Sequence, residues 1–204
     1  MKINWSAVLA APAGGVLLGV LDFVWIKYVP FPLGGLGNSL AVWAVAAFLF
    51  TYRGRWGWAG GIAAAVVLLV VAVPSYYLAA ALIQHDDFAN MVNAVAVLWM
   101  GFAVVAGVVF GGAGVAARAP GRWRAVAFSL PAAVLFAEAV LLARRIGDRA
   151  YGNAPVAESL VDVALGVLVT VAIAPTWRLR GFALLWAVPL ALLGFGLLSV
   201  ARFG

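Results

Sequence analysis

Residues 58–83 read WAGGIAAAVVLLVVAVPSYYLAAALI, a run of 26 residues without a charged side chain. An α-helix rises about 1.5 Å per residue, so about 20 apolar residues cover the roughly 30 Å hydrocarbon core of a bilayer. Only helices and closed barrels satisfy their backbone hydrogen bonds in lipid, and barrel strands would alternate apolar with polar residues. This continuous run therefore predicts a membrane-spanning helix.

Six further apolar runs follow the same pattern along the 204-residue chain. Hydrophobic residues make up 67% of the sequence and charged residues 10%, whereas soluble domains carry about 25% charged residues. We predict an all-α polytopic transmembrane bundle of about seven helices, forming one domain over residues 1–204. The predicted spans are 6–29, 34–52, 58–83, 92–116, 124–143, 156–174 and 181–200.

The second predicted span is the shortest of the seven. From Asn38 to Tyr52 it contains only 15 residues, so it crosses the bilayer only if the helix begins near Gly34. If the helix begins later, the segment is a short span that thins the bilayer, or it is partly re-entrant. The sequence leaves these alternatives open.

Basic residues are concentrated in the loops on one side of the predicted bundle. Eight lie there without any acidic residue: Lys2, Arg53, Arg55, Arg118, Arg122, Arg124, Arg178 and Arg180. The positive-inside rule then places the amino terminus in the cytoplasm and the carboxyl terminus outside. It also accounts for the net charge of +6, so we predict no nucleic-acid partner.

Glycines mark one face on each of two predicted helices. Gly15 and Gly19 are four residues apart in the first span, and Gly107 and Gly111 are four apart in the fourth. This spacing places small residues on one side of a helix, where they let a neighbouring backbone approach closely. We predict that these four glycines lie at helix–helix interfaces.

Four carboxylates fall inside the apolar runs: Asp22, Glu138, Glu158 and Asp162. A charged side chain at mid-membrane costs at least about 2.5–3.5 kcal/mol, so each acid needs a structural or functional reason. Asp22 shares a helix face with Gly15 and Gly19, which directs it towards a neighbouring helix. In the predicted topology all four acids lie in the outer half of the bilayer.

Two interpretations of this asymmetry remain open. The first is a polar pocket that opens outwards and binds a small solute. Its candidate ligand-binding residues are Asp22, Asn38, Tyr77, Asn93, Glu138 and Asp162. The second is a ring of salt bridges at the outer rim, in which the acids pair with Arg144, Arg145 and Arg149.

Several classes of chemistry are not indicated by the sequence. It contains no cysteine and one histidine, so a thiolate site and a histidine-built metal centre are not expected. Neither a phosphate-binding glycine motif nor a nucleophile–base constellation is evident. We therefore predict no catalytic residue, no metal and no cofactor. The expected partners are the lipid bilayer and either a small solute or a partner membrane protein.

A set of short motifs resembles a family of small actinobacterial membrane proteins known only as a domain of unknown function. The motifs are Asn38–Ser39, Trp43, Tyr76–Tyr77, Trp99, Phe110–Gly111 and Glu138. The preference for arginine (11) over lysine (2) also fits a GC-rich source. The resemblance implies a multi-pass protein of the bacterial cell (inner) membrane and carries no known activity.

Three functions are compatible with these features. The favoured hypothesis is binding or transport of a small solute through the outward-facing polar pocket. The first alternative is a structural or accessory membrane protein without a ligand site. The second is an intramembrane enzyme that acts on a lipid or isoprenoid, although the sequence favours a non-enzymatic role.

Overall fold

The computed structural model describes residues 5–200, without the side chains of residues 5, 6, 38, 198 and 200. Within this range the chain forms seven α-helices and two short 3-10 segments. The helices are α1 (Trp5–Tyr28), α2 (Leu40–Gly54), α3 (Trp58–Gln84), α4 (Ala94–Ala116), α5 (Arg124–Ala143), α6 (Ala154–Ile173) and α7 (Trp177–Val200). The 3-10 segments are Leu33–Asn38, before α2, and Phe88–Met91, before α4.

Every helix except α2 is long and apolar enough to cross a membrane, which makes six such helices in the described residues. The predicted all-α, multi-pass class is therefore confirmed. Helix α2 has 15 residues and is about 22 Å long. The apolar runs identify the six long helices because each run matches the bilayer thickness.

The helix predicted over 34–52 begins at Leu40 instead. Two local features explain this later start. Glycines, which are poor helix formers, occupy three of the six positions in the Leu33–Asn38 segment. Ser39 then acts as the N-cap of α2, and its hydroxyl accepts a hydrogen bond from the Val42 N–H at 3.1 Å.

Helices α1 and α3 pack side by side and run in the same direction. Gly15 of α1 lies against Leu68, and Phe23, two turns later, packs against Ala80. A Cβ atom added to Gly15 would lie 2.5 Å from the Leu68 carbonyl oxygen, so the two backbones are in close contact. Because α1 and α3 are parallel, the chain has to reverse its direction between them, and α2, which connects them in the sequence, runs antiparallel to both.

A second parallel pair is formed by α5 and α7. Phe128 contacts Ala183 in one apolar cluster, and Gly194 lies against Ala137 farther along the same two helices. Helix α6 packs antiparallel on α5, where the Ser159 hydroxyl donates a hydrogen bond to the Ala139 carbonyl oxygen at 3.0 Å. This contact places the last two turns of α5 beside the first two turns of α6.

Helix α2 lies in the centre of the bundle and contacts α3, α4 and α5. Its buried Thr51 donates to the Gly111 carbonyl oxygen of α4 at 2.9 Å. Its Phe48 packs against Phe128 of α5, with ring centroids 6.4 Å apart. The second half of this short helix is therefore packed against α4 and α5.

The four glycines predicted at helix interfaces lie on two contact faces. Gly15 and Gly19 of α1 face α3, and Gly107 and Gly111 of α4 also face α3. At Gly107 an added Cβ atom would lie 2.7 Å from the Val66 Cα atom. Helix α3 is therefore held between two neighbours that present glycine to it.

Candidate functional site

Glu138 of α5 connects its helix to the first turn of α2. The Ser39 hydroxyl donates a hydrogen bond to Glu138 Oε2 at 2.5 Å, and the Ala41 N–H donates to the same oxygen at 3.1 Å. The first N–H groups of a helix have no partner within the helix, and a negative charge there is favoured by the helix dipole. Glu138 therefore serves as a second cap that fixes where α2 begins.

Asp162 of α6 is the most buried of the four acids, with 3% of its surface exposed. The Ser159 contact to α5 brings it beside Glu138, and the charges of Glu138 and Glu158 both act on it. Within residues 5–200, no hydrogen-bond donor and no basic side chain pairs with its carboxyl group. Burying an ionised group without a partner is costly, so Asp162 requires a charge or proton from elsewhere.

The Leu33–Asn38 segment contacts one of these acids, Glu158. A Cβ atom added to Gly35 would lie 3.0 Å from Glu158 Oε1, so the segment touches α6 there. At its other end Gly37 lies against Ile26 of α1, with an added Cβ atom 2.6 Å from the Ile26 side chain. The segment therefore runs between α1 and α6.

Asp22 of α1 lies near the same end of α2. The side chain of Trp43, one turn after Ser39, lies beside this carboxyl group and interacts with it. Tyr76 of α3 lies close enough for the Asp22 charge to act on it. Asp22 and Glu138 thus both contact the first two turns of α2, at residues spaced i and i+4, which share a helix face.

We define the acidic cluster as Asp22, Glu138, Glu158 and Asp162, together with the start of α2. The four acids come from α1, α5 and α6, and Asp22 is connected to the other three only through the start of α2. No group of three or more His, Cys, Asp or Glu side chains in the described residues has a geometry that could hold a metal ion. The cluster therefore offers isolated carboxylates and one helix N-terminus as its recognition groups.

The other predicted ligand-binding residues have different surroundings. Asn93 is the N-cap of α4: its Oδ1 accepts from the Ala96 N–H at 2.8 Å, and its Nδ2 donates to Asn90 at 3.1 Å. The ring of Tyr77 packs edge-on against Tyr76 with centroids 5.4 Å apart. The side chain of Asn38 lies outside the described residues.

The arginines near the acidic cluster contact aromatic rings. The guanidinium of Arg144 lies 5.8 Å from the ring centroid of Phe195, and that of Arg145 lies 5.1 Å from the ring of Tyr151. Within the described part of the chain, no arginine or lysine forms an ion pair with an acid of the cluster. The described side chains therefore give no support to a ring of salt bridges.

Two residues of the site, Ser39 and Trp43, are not among the predicted ligand-binding residues. Their i, i+4 spacing at the start of a weak helix is the signal that could have identified them. Both contact a buried carboxylate of another helix.

A family model described as a family of unknown function, DUF6518, matches residues 1–202. The chain belongs to the DUF6518 family. This membership confirms the predicted resemblance to a family without assigned activity, while the actinobacterial source stays a prediction. No curated protein and no solved structure gives a significant match to this DUF6518 protein.

Proposed function

We propose that this DUF6518 protein binds a small cationic solute at the acidic cluster and carries it into or across the membrane. The observation that supports this proposal is Asp162, which is buried beside Glu138 and Glu158 without a cation or donor in residues 5–200. A buried charge without a partner loses several kcal/mol of solvation. A positively charged solute beside the carboxylate would offset this energetic cost, and an anionic solute would increase it.

We further propose that the chain crosses a bacterial cell membrane seven times, with the amino terminus in the cytoplasm. The parallel packing of α1 and α3 supports this topology, because the chain between two parallel spans has to return across the bilayer. Helix α2 and the Leu33–Asn38 segment together would provide that return. The positive-inside bias of the loops then puts the acidic cluster in the outer half.

The short α2 gives the proposed site a means of access. Non-helical backbone at membrane depth is tolerated where protein covers it or where it lines a cavity, and transporters place their sites at such interrupted helices. The Leu33–Asn38 segment is rich in glycine and contacts Glu158 of the cluster. We propose that displacement of this segment admits the solute.

Purified protein in a zwitterionic detergent tests the proposal. Thermal unfolding is measured at constant ionic strength in the chloride salts of sodium, potassium, choline and guanidinium. The proposal predicts that at least one cation stabilises the wild type, that Asp22→Asn and Glu138→Gln weaken this effect, and that Asp86→Asn in an exposed loop does not. If the wild type has the same unfolding temperature in all four salts, the proposal is wrong.

A structural or accessory role is the second candidate. It is favoured by hydrogen bonds that give two of the polar residues a structural role: Glu138 caps α2, and Asn93 caps α4. In that case the acids only hold helices together, and the same experiment gives lower stability for the acid variants with no dependence on the cation. An enzymatic role is less favoured, since a groove of about 540 Å³ beside α1, α2 and α3 is lined by apolar residues and Arg53 without a carboxylate.

A further inference from the structure

A cavity of about 350 Å³ lies at the other end of the bundle, between the α4–α5 loop and the α6–α7 loop. Three arginines line it, Arg122, Arg124 and Arg178, together with the hydroxyl-bearing Thr176 and the apolar ring of Phe182. Ligand pockets usually measure about 300–1,000 Å³ and combine an apolar wall with a few convergent polar groups. The volume and lining of this site fall in that range, and it is an open groove in which Arg122, Thr176 and Arg178 are exposed.

The positive charge of the cavity is not compensated by acidic residues. The sequence has no Asp or Glu in residues 88–137 or in residues 163–204, which include both loops and the adjoining helix turns. In the described residues none of the lining arginines forms an ion pair. A cavity with three uncompensated guanidinium groups attracts anions.

One of these guanidinium groups is fixed in position by the protein. Arg124 Nε donates a hydrogen bond at 3.1 Å to the carbonyl oxygen of Ala117, which follows α4. Its two terminal nitrogens have no protein acceptor within residues 5–200. Those nitrogens are therefore available to a ligand, and the side chain loses little further freedom when one binds.

Two helix N-termini also border the cavity. Helix α5 begins at Arg124, and α7 begins at Trp177, directly after Thr176. Each carries a partial positive charge and N–H groups without a helical partner, which favours an anion in addition to the arginines. The Leu179 N–H is already capped by the Thr176 hydroxyl at 3.3 Å, so the arginines supply most of the recognition.

We propose that this cavity is a binding site for a phosphate group carried by an organic molecule. Guanidinium groups match the oxygen pairs of phosphate in geometry and charge, and Phe182 offers a contact for the organic part. The phosphate belongs either to the headgroup of an anionic phospholipid or to a soluble phosphate ester. This site is separate from the acidic cluster and does not depend on the function proposed for that cluster.

The test uses the full chain in nanodiscs of phosphatidylcholine. In one arm glycerol 3-phosphate is titrated, and in the other phosphatidic acid is included in the disc. Thermal unfolding and native mass spectrometry report binding for the wild type, for Arg122→Gln/Arg178→Gln and for Arg149→Gln. Arg149 lies in the exposed α5–α6 loop and serves as the control for loss of an arginine outside the proposed site.

We expect the double variant to lose affinity by roughly tenfold or more, whereas Arg149→Gln keeps the wild-type affinity. Stabilisation by glycerol 3-phosphate identifies a soluble ester, and stabilisation only by phosphatidic acid identifies a lipid headgroup. If neither probe binds, or if both variants lose binding equally, the cavity is not a phosphate site. Arg122→Lys/Arg178→Lys shows whether the planar guanidinium or the charge alone is recognised.

Discussion

Ser39 and Glu138 are 99 positions apart in the chain and share a hydrogen bond of 2.5 Å. The short distance is typical of a hydroxyl that donates to a carboxylate. Because Ser39 also caps α2, this contact joins the start of α2 to the second half of α5. The acidic cluster is built around that junction.

A double-mutant cycle of Ser39→Ala and Glu138→Gln measures the strength of the junction. Each single variant should lower the free energy of unfolding by about 1–3 kcal/mol, because it leaves a buried polar group or helix N–H without its partner. The double variant should lose less than the sum, with a coupling energy of about 0.5–3 kcal/mol. Chemical unfolding in detergent provides the measurement, and strictly additive losses would mean that the two side chains act independently.

Replacement of the interface glycines tests the packing of α3. Gly19→Ala places a Cβ atom in overlap with the Ala72 carbonyl oxygen, whereas Gly101→Ala in α4 meets no atom within 4 Å. Gly19→Ala should destabilise the protein by about 1–3 kcal/mol, since backbone atoms cannot move aside easily. Gly101→Ala should be neutral or slightly stabilising because alanine favours the helix. Equal unfolding temperatures for the two variants would argue against the close approach of α1 and α3.

Among the described side chains, Trp25 of α1 holds the Leu33–Asn38 segment, because its Nε1 donates a hydrogen bond to the Leu33 carbonyl oxygen at 2.8 Å. Trp25→Phe keeps the aromatic ring and removes the donor. We expect amide hydrogen exchange in this segment to become roughly fivefold faster, which corresponds to the loss of one hydrogen bond. The control is Trp58→Phe at an exposed position. Unchanged exchange in the Trp25 variant would show that other contacts hold the segment closed.

The absence of cysteine from the sequence makes labelling of single cysteines a clean test of topology. The proposed seven crossings place Asp86→Cys outside the cell and Arg55→Cys in the cytoplasm. A membrane-impermeant maleimide should therefore label only the first in intact cells. Labelling of Arg55→Cys from outside would contradict the proposed topology.

The sequence alone predicts the six long helices, because a continuous apolar run such as 58–83 can satisfy its backbone hydrogen bonds in lipid only as a helix. It also contains the local signals for Ser39 as a cap and for the glycines on helix faces. Asn93 was predicted to bind a ligand, and in the structure its side chain caps α4. Its position directly before an apolar run is the sequence signal for that cap.

The contacts of the acidic cluster could not be read from the sequence. Glu138 meets Ser39 and Asp162 only because α5 packs against both α2 and α6, and no spacing rule links residues that far apart. The same holds for Asp22 and Trp43, whose helices are separated by the Leu33–Asn38 segment. Tertiary packing decides which buried acids share a site.

The most direct test of the central claim is the cation dependence of stability in Asp162→Asn. If Asp162 is a buried charge that a cationic solute compensates, the variant should be more stable than the wild type without that solute, by about 1–3 kcal/mol. It should also gain nothing from any cation that stabilises the wild type. The contrary result is a variant that is less stable than the wild type under all conditions and responds to cations as the wild type does.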